Sequence, residues 1–324
     1  MSARELVALG TASQVPTRHR NHNGYLLRWD GDAILFDPGE GTQRQMVRYG
    51  VSASQLTRVC VTHFHGDHCL GLAGVIQRIS LDEVPDEIPI HYPASGQVYF
   101  DRLRHASIFL DRAKIRPCPL AEEGAVAQTR RYTLEARRLS HTVESWGYRL
   151  VEPDGRRMRP KKLSEAGVHG PMVRELLERG VLRVGDRTVR VEEVSVPRRG
   201  QVFAFLMDTR RCEAAVALAE GADLVVAEST YLAMHQKEAR ERGHMTARDA
   251  ATIAREAGAR RLVLTHFSQR YPRLEPFLEE AGAIHGDVVA VRDGDVVRVP
   301  PRQGADAEGG RSRRAAGAGP GSGA

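Results

Sequence analysis

The stretch VCVTHFHGDHCLGL, residues 59–72, places three histidines and one aspartate within six positions, directly after a short apolar run. The run VCVT is typical of a buried strand, so a rigid sheet would hold the loop that follows it. His63 and His65 are two residues apart, whereas Asp67 and His68 can turn toward a second point. Imidazole and carboxylate ligands without thiolates favour Zn²⁺ or Mn²⁺ in a catalytic site. The spacing therefore predicts one loop that supplies ligands to two neighbouring ions.

The same pattern, an apolar run that ends on a candidate ligand, recurs along the chain. ARRLSH ends at His141, VFAFLMD at Asp208 and RLVLTH at His266. Each of these alone is more often an ordinary polar residue at a strand end, but together with the loop they form a set of seven. AILFD also ends on an acid, Asp37, which fits a residue that orients a ligand histidine better than a ligand.

Composition restricts the class of protein without deciding its function. The chain has 324 residues, 41% of them apolar, which is ordinary for a globular protein able to bury a large core. The net charge of +6 permits an acidic partner. Four cysteines are scattered without a CxxC pair and no charged-then-apolar leader precedes them, so we expect a cytoplasmic protein. No apolar run approaches the roughly 18 to 20 residues of a membrane span.

Short aliphatic runs alternate with helical periodicity, which predicts a mixed α/β fold. The Asp-Gly pairs in WDGDA and RDGDV predict hairpin turns between extended runs. The segment ARDAATIAREAG predicts a helix with Ala250, Ile253, Ala254 and Ala257 on one face and Gly258 as its stop. From residue 301 to 324 the chain has no large apolar residue, and we predict a disordered tail.

Residues 152–199 differ from the rest of the chain in charge. They contain twelve Lys and Arg against eight Asp and Glu, a net of +4 out of the total of +6. GRRMRPKK and VPRRG lie near the two ends of this segment. On charge alone, an exposed insertion that is basic by chance is as good an explanation as a surface for an acidic partner.

The spacing THxHxDH followed by a distant His, Asp and His resembles the ligand signature of the metallo-β-lactamase superfamily. That resemblance implies an αββα four-layer sandwich with a two-metal site at one edge. Within the superfamily, nearly all of residues 1–300 look like the short form of the ribonuclease Z family, the tRNA 3′-processing endonucleases. The stretches that carry this second resemblance are FDPGEGTQRQM, THFHGDHCLGL, SHTVESWGYRL, FLMDTR, AEST, GHMTA and THFSQRY.

The resemblance implies a zinc-dependent endoribonuclease that removes the 3′ trailer of precursor tRNA, leaving a 3′-OH on the tRNA and a 5′-phosphate on the trailer. It implies two Zn²⁺ per subunit, with Asp67 also able to accept a proton from the attacking water. The ligands of one zinc would be His63, His65 and His141, those of the other Asp67, His68 and His266, with Asp208 as the bridge.

Two further sets of residues take roles from the resemblance. His244 and Glu228 match a His-Glu pair that protonates the leaving 3′-oxygen, although His244 alone would be read as a helix-start histidine with Thr246 as the N-cap. Arg20 and Asn21, in VPTRHRNHNG, match a loop that contacts the 3′ end of the substrate. Without the resemblance this loop would be an ordinary polar hairpin loop.

The basic segment 152–199 lies where the family inserts its protruding flexible arm, and Gly170-Pro171 matches a pair found there. By this resemblance the arm binds phosphates of the precursor tRNA body. Because the arm of one family subunit serves the active site of its partner, we also expect a homodimer.

Two rival functions remain open from the sequence. One is a metallo-β-lactamase hydrolase that acts on a small ester or on a phosphodiester other than RNA. The other is a non-catalytic RNA-binding protein with structural zinc, for which seven ligands and an open water position make a poor cage.

Overall fold

A computed structural model of the protein describes residues 4–302. Residues 303–324, which make up most of the tail that we predict to be disordered, lie outside the described residues. The described part divides into two units. The first contains residues up to Glu152 and Gln201–Pro300, and the second contains Pro153–Gly200.

The strands alternate with helices, in agreement with the predicted mixed class. In chain order the strands are β1 Glu5–Gly10, β2 Gly24–Trp29, β3 Asp32–Phe36, β4 Arg58–Cys60, β5 Ile88–Pro93, β6 Ile115–Leu120, β7 Gly124–Gln128, β8 Thr133–Leu139, β9 Ser145–Val151, β10 Gly155–Met158, β11 Val181–Val184, β12 Arg187–Arg190, β13 Ser195–Arg198, β14 Val202–Leu206, β15 Leu224–Glu228, β16 Arg261–Thr265, β17 Val288–Ala290 and β18 Val296–Arg298.

The α-helices are short, with ten residues in the longest of them. None of the helices among residues 4–302 has the length and apolar character needed to cross a membrane. They are α1 Thr42–Arg48, α2 Gly66–Cys69, α3 Leu72–Leu81, α4 Gln97–Arg104, α5 Pro160–Glu165, α6 Pro171–Arg179, α7 Val191–Val194, α8 Glu213–Ala219, α9 Gln236–Arg242, α10 Ala247–Glu256 and α11 Glu275–Gly282.

Two seven-stranded sheets form the first unit. The first sheet has the order β18-β1-β2-β3-β4-β5-β6, and the second has the order β17-β16-β15-β14-β9-β8-β7. Strands β3 to β6 run parallel in the first sheet, and β14 to β17 run parallel in the second. Parallel strands end at a common edge, so residues that follow them are brought together there.

The two sheets pack face to face around an aromatic core. The Phe36 ring, in the first sheet, lies 4.6 Å from the ring of Phe205 and 5.7 Å from that of Tyr148, both in the second sheet. Helices α1, α3 and α4 cover the outer face of the first sheet, and α8, α10 and α11 cover that of the second. The predicted αββα sandwich is confirmed.

One of the two predicted hairpins is correct and the other is wrong. Asp30-Gly31 joins β2 to β3 with both residues at positive φ, as a tight hairpin requires. The RDGDV segment instead connects β17, which pairs with β16, to β18, which pairs with β1. Asp293-Gly294 is therefore a crossover between the two sheets, because a turn dipeptide specifies a local reversal but not the partner of the strand that follows.

The helix predicted from ARDAATIAREAG is α10, and Gly258 follows it at φ +62°. Thr246 is its N-cap: the side chain accepts a hydrogen bond from the Asp249 N–H, and Asp249 bonds back in a capping box. The predicted apolar face, including Ile253, is buried against the second sheet.

The second unit has a small apolar core of its own. It contains α5 to α7 and two antiparallel pairs, β10 with β13 and β11 with β12. Val168, Leu176 and Val189 are buried at its centre. This is more internal structure than a bare basic arm would need. The function predicted for the segment is not decided by its fold.

We expect Phe36→Ala to lower the free energy of unfolding by about 3–5 kcal/mol, because it removes a ring that is fully buried between the sheets. Chemical denaturation followed by circular dichroism measures the change. Val47→Ala on α1, where the side chain is 67% exposed, is the control and should change stability by less than about 0.5 kcal/mol. A loss below about 1 kcal/mol for Phe36→Ala would contradict the packing described here.

Candidate metal centre

All seven predicted ligands lie at one edge of the two sheets. The loop with His63 follows β4, His141 follows β8, Asp208 follows β14, and His266 follows β16. Strands β4, β14 and β16 are largely buried, and the hydrogen-bonded neighbours of all four strands hold these side chains in position. The distant ligands therefore meet because these strands end at the same side of the sandwich.

The histidine-rich loop presents its side chains in two directions. Residues up to His65, the extended N-cap residue of α2, continue the direction of β4. The short helix α2 then turns Asp67 and His68 inward, where their exposed fractions are 7% and 0%. The change from extended to helical backbone gives one loop two sets of donors, as its spacing predicts.

The first donor group consists of His63, His65 and His141. His63 Nε2 lies 3.0 Å from His65 Nδ1, and His65 Nδ1 lies 3.3 Å from His141 Nε2. One carboxylate oxygen of Asp208, Oδ2, is 3.5 Å from His63 Nε2 and 3.6 Å from His141 Nε2. These four residues form a single cluster of potential ligands.

The second donor group consists of Asp67, His68 and His266. Asp67 Oδ2 lies 3.4 Å from the Nε2 atoms of both histidines. The other oxygen of Asp208, Oδ1, is 3.3 Å from His68 Nε2 and 3.1 Å from His266 Nε2. Asp208 therefore stands between the two groups and directs one oxygen to each.

These separations fit divalent metal ions. A tetrahedral ion with ligands at about 2.0–2.1 Å separates its ligand atoms by about 3.3 Å, close to the spacing within each group. Asp208 Oδ1 and His266 Nε2 are also buried without a hydrogen-bond partner among residues 4–302. Buried polar atoms are costly when unpaired, and cations at this edge would satisfy them.

Asp37 holds the histidine-rich loop in place, which is the role predicted for a residue that orients a ligand histidine. Its buried carboxylate accepts hydrogen bonds from the N–H and the hydroxyl of Thr62, at 2.7 and 2.8 Å. It also lies 2.8 Å from His68 Nδ1. The Nε2 atom of His68 is thereby directed at the metal position.

Two other ligand histidines are held in the same way. His141 Nδ1 is 2.8 Å from the carbonyl oxygen of Gly243, and His266 Nδ1 is 2.7 Å from the hydroxyl of Thr230. Each contact fixes the ring plane and leaves Nε2 for the centre.

The backbone of the centre is strained. Asp37, Asp208 and His266 have φ of 45°, 37° and 61°, in the left-handed region that non-glycine residues rarely adopt. Asp37 and His266 directly follow strands, and Asp208 lies two residues after the end of β14. Such conformations cost free energy and persist where the surroundings enforce them, often at functional sites.

The charges of the cluster shift its pKa values strongly. Burial lowers the pKa of His68, but the carboxylates of Asp208, Asp67 and Asp37 outweigh burial and raise it well above the usual value. Burial raises the pKa of Asp208, and the surrounding histidines reverse this and hold it well below its usual range. A centre with negative carboxylates beside closely packed imidazoles binds cations in exchange for protons.

His244 and Glu228 form the predicted pair. His244 Nδ1 lies 3.0 Å from Glu228 Oε1, and Glu228 is fully buried. Burial lowers the pKa of His244, but Glu228 and then Asp208 outweigh it and raise the pKa to about 9. His244 is also 3.9 Å from Asp208 and can be grouped with it and His266 as a ligand. Glu228 occupies the Nδ1 atom of His244, which leaves only Nε2 for any other partner.

A cavity of about 600 Å³ opens over the centre. Its lining includes groups that the sequence analysis did not single out, although Arg270 lies within the quoted THFSQRY and Tyr231 directly follows AEST. Both side chains are near His244: the Arg270 guanidinium lies 5.0 Å over the Tyr231 ring, whose centroid is 6.1 Å from that of His244. The cavity-lining residues outside the donor groups include Ser13, Gln14, Val15, His22, Thr230, Tyr231, Arg242, His244 and Arg270.

The loop with Arg20 and Asn21 borders this cavity, where Arg20 is buried and Asn21 is partly exposed. Arg20 is 9% exposed, and its guanidinium lies 5.3 Å over the Phe267 ring. The Asn21 side chain donates hydrogen bonds to the carbonyl oxygens of Glu40 and His22. The Arg20 guanidinium is thus almost fully buried, and the Asn21 amide nitrogen is occupied by two backbone carbonyls.

Gly170 and Pro171 lie in the second unit, where they begin α6. Gly170 is the N-cap at φ +52° and Pro171 occupies the first turn. Both residues are exposed. This is a regular helix start, which explains the Gly-Pro pair in structural terms.

Comparison with known proteins agrees with the geometry of the site. The family model described as the metallo-beta-lactamase superfamily matches residues 17–266. A ribonuclease Z of Streptomyces coelicolor is 59% identical over 305 residues, which cover 94% of this chain and 100% of that protein. A ribonuclease Z of Chlamydia muridarum is 45% identical over 293 residues, covering 90% and 96% of the two chains.

A solved structure gives the same result. The crystal structure of human tRNase Z, short form, is similar to this chain with a TM-score of 0.67 and 25% sequence identity. The match covers 92% of this chain and 100% of the human one. The chain therefore belongs to the ribonuclease Z family of the metallo-beta-lactamase superfamily.

Proposed function

We propose that the protein is a metal-dependent endoribonuclease that cleaves precursor tRNA at its 3′ end, leaving a 3′-OH on the tRNA and a 5′-phosphate on the trailer. The observation that supports this proposal is the presence of two donor groups that share Asp208. They lie beside His244, which is hydrogen-bonded to the carboxylate of Glu228. Hydrolysis of a phosphodiester needs a nucleophilic water, charge compensation and an acid for the leaving oxygen, and this edge holds groups suited to each.

We assign one Zn²⁺ to each donor group, two per subunit, with Asp208 as the shared ligand. The preference for zinc follows from the ligands, which are imidazole and carboxylate at tetrahedral spacing. Bound as a pair, such ions supply a water that is deprotonated near neutral pH and positive charge for the phosphoryl oxygens.

The remaining chemistry belongs to side chains of the protein. His244 donates a proton to the ribose 3′-oxygen as its bond to phosphorus breaks, and Glu228 keeps the imidazole charged and correctly turned. Asp67 is both a ligand and the carboxylate able to accept a proton from the attacking water. The cavity wall with Tyr231 and Arg270 then lies beside the nucleotide that keeps the 3′-OH, since it adjoins His244.

The second unit is proposed to bind the body of the tRNA. Its arginines are strongly exposed: the side chains of Arg174, Arg183 and Arg179 are 82%, 77% and 71% exposed. Contacts of this kind read the backbone and shape of A-form RNA rather than its sequence. Gly170-Pro171 begins the helix that presents two of them, Arg174 and Arg179.

The same proposal includes a homodimer in the cytoplasm. All four cysteines are free thiols, which agrees with a reducing compartment.

Leu81 and Leu110, 76% and 70% exposed, line one cavity at the outer face of the first unit and are available to a second subunit. Sedimentation equilibrium tests the oligomeric state, and a monomer at all concentrations would reject the homodimer.

Incubation of the purified protein with a 3′-extended precursor tRNA and with bis(p-nitrophenyl) phosphate tests the function against its rivals. We expect cleavage of the precursor at one position near the 3′ end of the tRNA, abolished by a chelator and restored by Zn²⁺. Hydrolysis of the small diester alone would favour a hydrolase that does not act on RNA. RNA binding without cleavage would favour a binding protein with structural zinc.

Asp208→Ala should remove both ions, because its two oxygens each face one donor group. Elemental analysis of the purified variant measures the metal content per chain. Asp287→Ala is a matched control, since Asp287 is partly exposed and pairs with Arg261. Retention of one full equivalent of metal by Asp208→Ala would contradict the shared-ligand assignment.

His244→Ala should lower the cleavage rate by about 10² to 10⁴ while metal content and RNA affinity stay nearly unchanged, since a general acid acts only as the leaving oxygen gains charge. Single-turnover kinetics with excess enzyme measures this step, and His105→Ala, at an exposed histidine, is the control. If His244→Ala lost metal, His244 would be a ligand instead.

Removal of the second unit should separate tRNA binding from the chemistry. Val151 pairs with Val202 and the Glu152 N–H bonds to the Gln201 carbonyl, so Asn-Gly in place of Pro153–Gly200 closes a regular hairpin. Precursor cleavage should fall sharply and lose salt dependence, by roughly 0.7–0.9 in log-log slope for each lost phosphate contact. Metal content and hydrolysis of bis(p-nitrophenyl) phosphate should persist. A parallel loss of both activities with metal retained would reject this role.

A further inference from the structure

The loop of residues 13–22, which we call the cavity loop, is attached to the metal centre at its base. The N–H of Phe267, the residue after the ligand His266, donates to the Thr11 carbonyl, and the Ser13 N–H donates to the Phe267 carbonyl. Ser13, Gln14 and Val15 line the cavity. A shift of this loop would therefore change the shape of the cavity beside the second donor group.

Asp293, in the crossover between the two sheets, accepts hydrogen bonds on both sides of the cavity loop, from Thr11 just before it and from Asn21 near its end. Its Oδ1 accepts from the Thr11 hydroxyl at 2.7 Å, and its Oδ2 accepts from the Asn21 N–H at 2.7 Å. The Gln45 side chain also donates to Oδ2 at 3.1 Å and to the Leu9 carbonyl. One carboxylate thus joins three segments that are far apart in sequence.

Arg20 completes this arrangement from inside the loop. Its backbone N–H donates to the Thr17 hydroxyl and its carbonyl accepts from the Thr17 N–H, which closes a tight turn. The side chain is almost fully buried on Phe267. Burial lowers the pKa of the Arg20 guanidinium and the negative charge of Asp293 opposes that shift, while burial raises the pKa of Asp293 to about 6.

We propose that Asp293 and Arg20 form an internal brace that positions the cavity loop over the metal centre, and that Arg20 acts on the substrate only through this loop. The inference rests on the proposed function, because the substrate that the loop meets is the 3′ end of the tRNA. It revises the direct contact expected for Arg20 and adds Asp293, a positioning residue from the other end of the chain.

Charge distinguishes a brace from a phosphate contact. A phosphate contact releases counterions on binding and contributes about 0.7–0.9 to the log-log slope of affinity against salt. Arg20 is almost fully buried on Phe267 in the free protein, so its guanidinium is not placed to meet a phosphate. Arg18, two residues away, is exposed, so its guanidinium is accessible to a phosphate.

The test compares Arg20→Met, Asp293→Asn and their double variant in the full-length enzyme. Methionine keeps an apolar chain on Phe267 and removes the charge. Asparagine at position 293 replaces one carboxylate oxygen with an NH₂ group. That group cannot accept the hydrogen bonds that Thr11, or Asn21 and Gln45, now donate there. We expect kcat/KM for precursor tRNA to fall about tenfold in each single variant. The double variant should fall no further than the worse single one, since both act through one brace.

Three further readouts exclude a merely structural effect. Metal content and the rate on bis(p-nitrophenyl) phosphate should stay within about twofold of the wild type, and the salt slope of RNA binding should be unchanged in Arg20→Met but lower in Arg18→Ala. Asp295→Asn is the matched control, because the exposed Asp295 side chain accepts a hydrogen bond from Arg292 in its own turn. If Asp293→Asn does not fold, Thr11→Val removes only one of the bonds to the same carboxylate.

A salt slope reduced by about 0.7–0.9 in Arg20→Met would identify Arg20 as a phosphate contact and overturn the brace. Unchanged precursor cleavage in both single variants, or additive losses in the double variant, would overturn it as well. Failure of the wild type to cleave precursor tRNA would reject the proposed function itself, whereas a failure confined to the predicted variant effects rejects only the brace.

Discussion

The carboxylate of Asp208 holds the two halves of the site together, because each of its oxygens faces a different set of donors. Buried carboxylates and imidazoles at such short distances are unfavourable without strong compensation. The fold provides that compensation in part through Asp37 and Thr230, which fix the ligand rings. Bound cations would supply the rest.

The position of Asp208 depends in turn on the sandwich. It follows β14, a fully buried strand between β9 and β15, and takes a left-handed φ of 37°. Its place two residues after a central strand, with paired neighbours on both sides, explains how this conformation is maintained. The rigid core of aromatic side chains between the sheets thus serves the site as well as stability.

His244, which we propose as the proton donor, is distinguished from the candidate metal ligands by hydrogen bonding rather than by distance. His244 is as close to His141 and His266 as those ligands are to their neighbours, with ring centroids 5.1 and 5.5 Å apart. Glu228 determines its role, because the buried carboxylate occupies Nδ1 and favours the charged ring. Glu228 itself accepts from Thr209 and Thr230, so its orientation is also fixed.

Much of this protein could be predicted from its sequence. Strand-end polar residues after aliphatic runs, together with the histidine-rich loop, identified the seven candidate ligands, because a short strand has a period and composition that can be recognised locally. Thr246, as a candidate N-cap, marked the start of α10 for the same reason. The motif resemblance implied the αββα sandwich, and the structure has it. These features depend on a few adjacent residues, which is the range over which sequence patterns are informative.

Only the tertiary structure decided how distant segments meet. RDGDV has the composition of a hairpin turn, yet its two flanking strands join different sheets, because the choice of partner strand depends on packing across the whole core. Arg20 matches a substrate contact in a polar loop, yet its side chain is buried on Phe267, more than 240 residues away along the chain. The direction of a long side chain is set by contacts that form only when both ends of the chain have folded, and no local pattern records them.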